Sequence, residues 1–252
     1  MKECIAVINQ KGGVGKSTTA YALGAGLILK GYKVLFMDLD AQGNLSYNMG
    51  ALSKSITSLE VLTGTATAQE AIVTTASGDL IPASPALASA DALITTTGKE
   101  YRLREALEPL KKSYDYIILD TPPALGILTV NALTACNSVV IPAQADTFSL
   151  QGIGQLSQTI QTVKKYCNPS LSIKGIVITR YSSRAVLTRD MTELLDDTAR
   201  QLNTKLYKTK IRECIAIKEA QASQQDIYSY SPKSNATADY KQLVEEILEK
   251  EI

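Results

Sequence analysis

The sequence has no histidine, and only four cysteines are scattered through its 252 residues. The first absence excludes histidine-based acid–base catalysis. Cys4, Cys136, Cys167 and Cys214 form no C-x-x-C pair, so with histidine missing as well the common zinc sites are excluded. Cysteines spaced this widely fit apolar packing in a reducing compartment. No apolar run approaches the roughly 18 residues that a membrane-spanning helix needs. The apolar start is too short for a secretory signal and passes straight into a glycine-rich segment, so a cytoplasmic protein is expected. Charge is nearly balanced, 26 Lys and Arg against 25 Asp and Glu, a net of +1. Any nucleic-acid binding must therefore come from a local patch.

What is present is enough for one large domain. Hydrophobic residues make up 45% of the chain and charged residues 20%, a composition that fills a core and argues against disorder. Residues 1–252 are expected to form a single α/β domain. Apolar, β-branched runs predict strands at Cys4–Ile8, Lys33–Met37, Leu80–Pro82, Tyr116–Leu119, Ser138–Ile141, Ile173–Thr179 and Thr204–Tyr207. Helix-period segments lie at Ser17–Lys30, Ser58–Leu62, Tyr101–Lys111, Thr129–Ala135, Gln151–Cys167, Arg189–Gln201 and Asp239–Lys250. This alternation predicts a doubly wound, mostly parallel sheet flanked by helices. The Thr/Ala-rich stretch Thr63–Ser77 reads as surface helices and turns.

Between the first strand and the first helix runs Gln10-Lys11-Gly12-Gly13-Val14-Gly15-Lys16-Ser17-Thr18. It matches a phosphate-binding loop except that Gln10 stands where the usual pattern has glycine. Gly12, Gly13 and Gly15 let backbone N–H groups turn toward phosphate oxygens, and the helix start adds partial positive charge. Lys16 is placed to reach the β- and γ-phosphates, and the Ser17 hydroxyl to ligate Mg²⁺. Val14 and Thr18 complete the loop, and Lys11 is a surplus cation. Two more elements fit a nucleotide site. Tyr116-Ile117-Ile118-Leu119 ends in Asp120, an acid expected near Mg²⁺ through water. The second strand ends in Asp38-Leu39-Asp40, and parallel sheets gather such strand ends around one crevice. Asp38 is a candidate metal ligand. Asp40 is the candidate for orienting the attacking water.

Together these segments resemble the deviant-Walker ATPases of the ParA/MinD type, and within them the ParA/Soj-type partition ATPases. The likeness runs through Lys11–Thr18, Asp38–Ser46, Asp120–Pro123, Val140–Gly152, Gly175–Thr188 and Ile211–Ala236. It implies ATP and Mg²⁺ as cofactors and an ATP-sandwich homodimer, in which Lys11 reaches the partner subunit's phosphates. It also implies nonspecific DNA binding by the ATP-bound dimer, a ParB-like activator protein and a nucleoid-associated location. Lys16, Ser17 and Asp120 match the phosphate, magnesium and Walker B positions, and Asp40 the acid needed for hydrolysis. Many members place Pro-x-Asn beside the adenine, where this chain has Arg212-Glu213-Cys214. Arg212 and Cys214 are therefore the candidates on the base side.

From Lys174 through Lys218 there are ten cations against five acids, a local net of +5. By composition alone this suits either a solvated face or contact with a phosphate backbone. The resemblance turns the expectation toward DNA, with Arg180, Arg184, Arg189, Arg212 and Lys218 as candidates. No helix-turn-helix segment precedes the loop, so base-specific reading is not expected. A MinD-like, membrane-associated division-site regulator is the alternative. Tyr240, Leu243, Val244, Ile247 and Leu248 form an apolar stripe suited to such a helix or, more simply, to core packing. The segment from Asp239 has five acids and two lysines, which anionic lipid repels, so no stable membrane binding is expected. Tyr228, Tyr230 and Tyr240 are too dispersed for a tyrosine-kinase tail. Cys136, expected to be buried, does not suit a shared iron–sulfur cluster.

Overall fold

Successive residues of the inner strands face two different cores, as strands covered on both sides require. In the run Tyr116–Asp120, Ile117 and Leu119 join one core while Tyr116 and Ile118 join the other. In Glu3–Val7, Cys4 and Ala6 alternate in the same way with Ile5 and Val7. The computed structural model describes residues 1–52, 55–182 and 186–249. In chain order the elements are β1 Glu3–Val7, α1 Lys16–Leu29, β2 Val34–Asp38, α2 Asn44–Asn48, α3 Ser58–Thr63, β3 Val73–Thr75, β4 Gly78–Ile81, α4 Ala90–Leu93, α5 Arg102–Leu107 and β5 Tyr116–Asp120. There follow α6 Ile127–Ala135, β6 Ser138–Ala143, α7 Thr147–Tyr166, β7 Ser172–Tyr181, α8 Val186–Gln201, β8 Leu206–Arg212, α9 Ile215–Ala222, α10 Ile227–Tyr230 and α11 Asn235–Leu248.

The strands form one eight-stranded sheet in the order β3-β4-β2-β5-β1-β6-β7-β8. Every pairing is parallel except β3 with β4. This is the expected doubly wound α/β architecture. From β1 the chain crosses to β2 on one side, and from β6 to β7 on the other. The winding thus reverses between β1 and β6, and the crevice at their carboxyl ends is where such sheets bind ligands.

The departures from the sequence reading have local causes. The predicted helix Tyr101–Lys111 is interrupted. Only Arg102–Leu107 is α-helical, with 3-10 turns at Lys99–Tyr101 and Glu108–Lys112. Pro109 lacks an N–H and its ring crowds the preceding turn. The Thr63–Ser77 stretch, read as helices and turns, instead holds β3, which pairs antiparallel with β4 across Ala76-Ser77. Helix α7 starts earlier than Gln151 because the Asp146 carboxylate caps it, accepting the Ser149 N–H at 2.8 Å. The stripe Tyr240, Leu243, Val244 and Ile247 is buried, so α11 packs on the sheet. Of the tyrosines, Tyr228 donates to the Ala22 carbonyl at 2.9 Å and Tyr240 meets Thr19 at 3.3 Å. The Cys136 thiol is buried, which pushes its pKa up to about 12. Lys250, the last residue of the predicted terminal helix, lies outside the described residues.

Helix α1 lies directly against β2. A methyl group added at Gly24 would stand 2.1 Å from the buried Phe36 ring. Gly24→Ala is therefore expected to destabilise the fold by about 1–3 kcal/mol through overpacking, although alanine is the better helix former by about 1 kcal/mol. Urea unfolding of Gly24→Ala checks this, and the added substitution Phe36→Leu should recover much of the loss.

Candidate nucleotide site

The loop after β1 is fastened to β6 before it turns. The Ile8 N–H donates to the Val140 carbonyl at 3.1 Å. The buried Asn9 amide donates to the Pro142 carbonyl at 2.7 Å and accepts the Lys11 N–H at 3.0 Å. Gly13 and Gly15 then take φ of 74° and 85°, left-handed conformations that strain any residue with a Cβ. Gly15 stands at the N-cap of α1 without a side-chain cap, and the first turn carries no acid. The N–H groups of that turn are left to a ligand. From above, the Thr179 hydroxyl donates to the Val14 carbonyl at 2.8 Å and the Gln144 amide to the Gly13 carbonyl at 3.3 Å.

Beneath the loop lie the charges. Strand register sets Val7 beside Asp120, and Asp120 beside Asp38. Lys16 is buried, and its ammonium donates to the Lys11 carbonyl at 3.1 Å. Burial lowers its pKa, while Asp120 and Asp40 oppose the shift. Asp120 is completely buried, and neither carboxylate oxygen has a hydrogen-bond partner among the described residues. Burial pushes its pKa well up and the neighbouring Asp38 adds to this, against the Ser17 hydroxyl and the Lys16 ammonium. Two orphaned carboxylate oxygens beside a loop hydroxyl suit a hard divalent cation such as Mg²⁺. The donor set therefore fits the metal that the loop pattern implies.

The other sequence-derived candidates divide. Asp40 is buried within a tight turn. Its Oδ1 accepts the Gln42 N–H at 3.0 Å, and its Oδ2 has no hydrogen bond among the described residues. That oxygen is available to a water. The structure gives Asp38 a different task from the metal ligation expected of it. Its Oδ1 accepts the Asp40 N–H at 3.0 Å, and its Oδ2 accepts both the N–H and the hydroxyl of Ser46 at 2.8 Å. With both oxygens engaged, Asp38 braces the Asp40 turn. Burial nonetheless raises its pKa to about 6.

The Lys11 side chain has partners other than those of Lys16. Its ammonium pairs with Asp146 and donates to the Gln144 side chain at 3.1 Å. Despite partial burial, Lys11 holds the Asp146 carboxyl below its ordinary pKa. Asp146 and Gln144 were not singled out in the sequence, where a helix-capping acid looks like any other. Arg212, a candidate for both base and DNA, is committed elsewhere. It grips Asp239 of α11 through Nε at 2.9 Å and Nη2 at 2.5 Å. Arg189 is exposed with Glu193 at 3.7 Å, and Arg184 lies outside the described residues. Arg180 and Lys218 are exposed, form no ion pair among the described residues, and line one small cavity with Val14, Gly15, Thr18 and Cys214.

A family described as an AAA domain matches residues 2–173. The sporulation initiation inhibitor protein Soj of Bacillus subtilis is 38% identical over 252 residues, covering 98% of each chain. The chromosome partitioning protein ParA of Myxococcus xanthus is 36% identical, covering 98% of this chain and 88% of its own. The chain belongs to the ParA/Soj-type ATPases. A solved structure described as cobyrinic acid a,c-diamide synthase of Mycobacterium smegmatis, with bound ADP and magnesium, superposes with a TM-score of 0.84. It is 34% identical, over 97% of this chain and 93% of that one. Among the described residues of this ParA/Soj-type chain, no helix is long and apolar enough to cross a membrane.

The buried acids give the free protein a defined pH response. Between the ordinary aspartate value, about 3.9, and about 6, the folded chain holds more protons at Asp38 than the unfolded chain does. Asp120 acts in the same direction. The Asp38 contribution is therefore favourable below that window and is lost as pH rises through it. Without nucleotide, raising the pH from 4 to 7 should lower the urea midpoint of the wild type relative to that of Asp38→Asn.

Proposed function

We propose that this chain is an ATP-hydrolysing switch for DNA partition, of plasmid or chromosome. The observation that carries the reading is Asp120, a buried carboxylate without partners, set beside Ser17 and Lys16 beneath a phosphate-binding loop. Loop N–H groups and Lys16 bind the β- and γ-phosphates. Ser17 and Asp120, the latter through water, would hold Mg²⁺, which neutralises phosphate charge and supports transfer. The free Oδ2 of Asp40 orients the attacking water, and Asp38 keeps the Asp40 turn in place. The solved relative named with ADP and magnesium supports the same ligands here.

Lys11 gives this hydrolysis a dependence on assembly. In the single chain its ammonium is held by Asp146 and Gln144. In an ATP-bound homodimer it leaves them for the partner subunit's phosphates and completes charge neutralisation there. The dimer then binds DNA without reading bases, through Arg180 and Lys218, and a ParB-like partner stimulates hydrolysis and release. Arg212 is left out of the DNA surface because Asp239 neutralises it. Such a protein works in the cytoplasm on the nucleoid. The buried apolar stripe of α11 argues against the membrane-regulator alternative.

The direct test is a DNA pull-down with ATP, ADP or no nucleotide at two salt concentrations. Binding is expected with ATP only, with a log–log salt slope of about −0.9 for each phosphate contact. Lys16→Ala should abolish it, Asp40→Ala should retain it, and Arg180→Ala with Lys218→Ala should flatten the slope by about two contacts per protomer. Equal retention with ADP would contradict the switch.

The tether makes its own prediction. Asp146→Ala should release Lys11 and shift ATP-dependent dimerisation to lower protein concentration, by about fivefold for each tether worth about 1 kcal/mol. Sedimentation velocity with a non-cleavable ATP analogue measures this.

A further inference from the structure

A second cavity, of about 910 Å³, opens at the end of the sheet opposite the phosphate loop. Its walls are the amino ends of β1, β5, β7 and β8 and the carboxyl ends of α7, α8 and α11. The volume lies in the range of small-molecule sites, about 300–1,000 Å³, and no residue of the nucleotide site lines it. The recess is one-signed. Lys2, Lys164, Lys165, Lys174 and Lys205 line it against Glu3 and Glu249. That is a local net of +3, where the whole chain carries +1.

Internal acids do not cancel this charge. Glu3 is already engaged: its two oxygens accept the Lys174 ammonium at 3.0 Å, and Oε1 also accepts the Ser138 hydroxyl at 2.5 Å. Lys2, Lys164, Lys165 and Lys205 form no ion pair among the described residues. Three of these ammonium groups stand over tyrosine rings instead, Lys2 over Tyr32 at 4.1 Å, Lys165 over Tyr166 at 4.9 Å and Lys205 over Tyr207 at 5.4 Å. A ring face attracts a cation without neutralising it. Helix ends account for part of the pattern, since Lys164 and Lys165 occupy the last turn of α7, where cations offset the helix dipole. Lys2, Lys174 and Lys205 stand at strand starts, which carry little dipole to offset. Lys174 and Lys205 are half-buried, beside Ile160, Ile173 and Ile247 of the same lining. Apolar walls strengthen an ionic attraction that open water would weaken.

We infer that this recess binds a small molecule carrying two or more phosphate groups, with Lys164 and Lys205 as its principal anion contacts. Both ammonium groups lack an acid, and the carboxamides of Gln161, Gln201 and Asn203 line the same space with further donors. Phosphate suits lysine, a compact charge with three donors, whereas a planar carboxylate is matched best by the arginine fork. No arginine lines the recess. Charges gathered in a concave space fit a compact anion, where a duplex backbone calls for an extended outer face.

The test is calorimetric titration of inorganic tripolyphosphate, at low salt, into the wild-type chain, Lys16→Ala, and the double variant Lys164→Gln with Lys205→Gln. The wild type should bind two tripolyphosphates per chain, one at the loop and one in the recess. Lys16→Ala should keep the second. The double variant should keep the first, with ATP binding unchanged, and weaken the second by about a hundredfold, roughly tenfold for each charge-assisted hydrogen bond removed. Citrate, an anion of carboxylates only, should compete weakly for the second site. A single wild-type site that disappears in Lys16→Ala would overturn the inference and leave the ATP reading intact. So would a second site that the double variant retains at full strength, and citrate competing as well as tripolyphosphate would overturn the assigned ligand class. A single site that survives in Lys16→Ala and is lost in the double variant would instead support the recess and count against the loop.

Discussion

The structure is organised around the carboxylate of Asp120, which a hydrophobic strand carries into the interior without giving it a hydrogen bond. Burying a polar group unpaired costs about 1–3 kcal/mol, and more when it is charged, and most of the surroundings limit that cost. Lys16 supplies a nearby positive charge at the expense of its own hydration. Ser46 and the Asp40 backbone satisfy Asp38, so the second acid across the strand pair does not compound the deficit. What is left is a buried acid without a hydrogen bond among the described residues, at the end of the sheet where the winding reverses. A fold selected only for stability would have placed an apolar residue there.

The same local logic explains how much was legible in the sequence. The loop was readable because glycines, lysines and hydroxyl lie together along the chain, and each has a task that depends on local backbone geometry. The central strands were readable because burial on both faces makes them uniformly apolar. Pro109 was visible in the sequence, yet helical periodicity around it masked the break into 3-10 turns. Strand β3 has three residues, two of them threonines, and is held by pairing with β4, a nonlocal cause. The commitment of Arg212 to Asp239 depends on where α11 docks, 27 residues later. Composition could count that cation but could not show it to be neutralised. The distinction between Asp38 as ligand and Asp38 as brace likewise rests on Ser46 folding back over it.

A second theme is that the charged groups of the site are held ready by internal substitutes. Lys11 is paired within its own chain by Asp146, which also caps α7. The helix that caps itself with this acid is thus coupled to the surplus lysine of the loop. One carboxylate therefore serves both the loop lysine and the first turn of α7. Phe148, in the first turn of that helix, is 73% exposed.

The account stands on Asp120 holding a metal ion beside the phosphate loop. Calorimetric titration of Mg²⁺ into the ATP-loaded chain, for the wild type and Asp120→Asn, measures that directly. The account predicts markedly weaker Mg²⁺ binding in Asp120→Asn than in the wild type. Equal Mg²⁺ affinity in the two would contradict it.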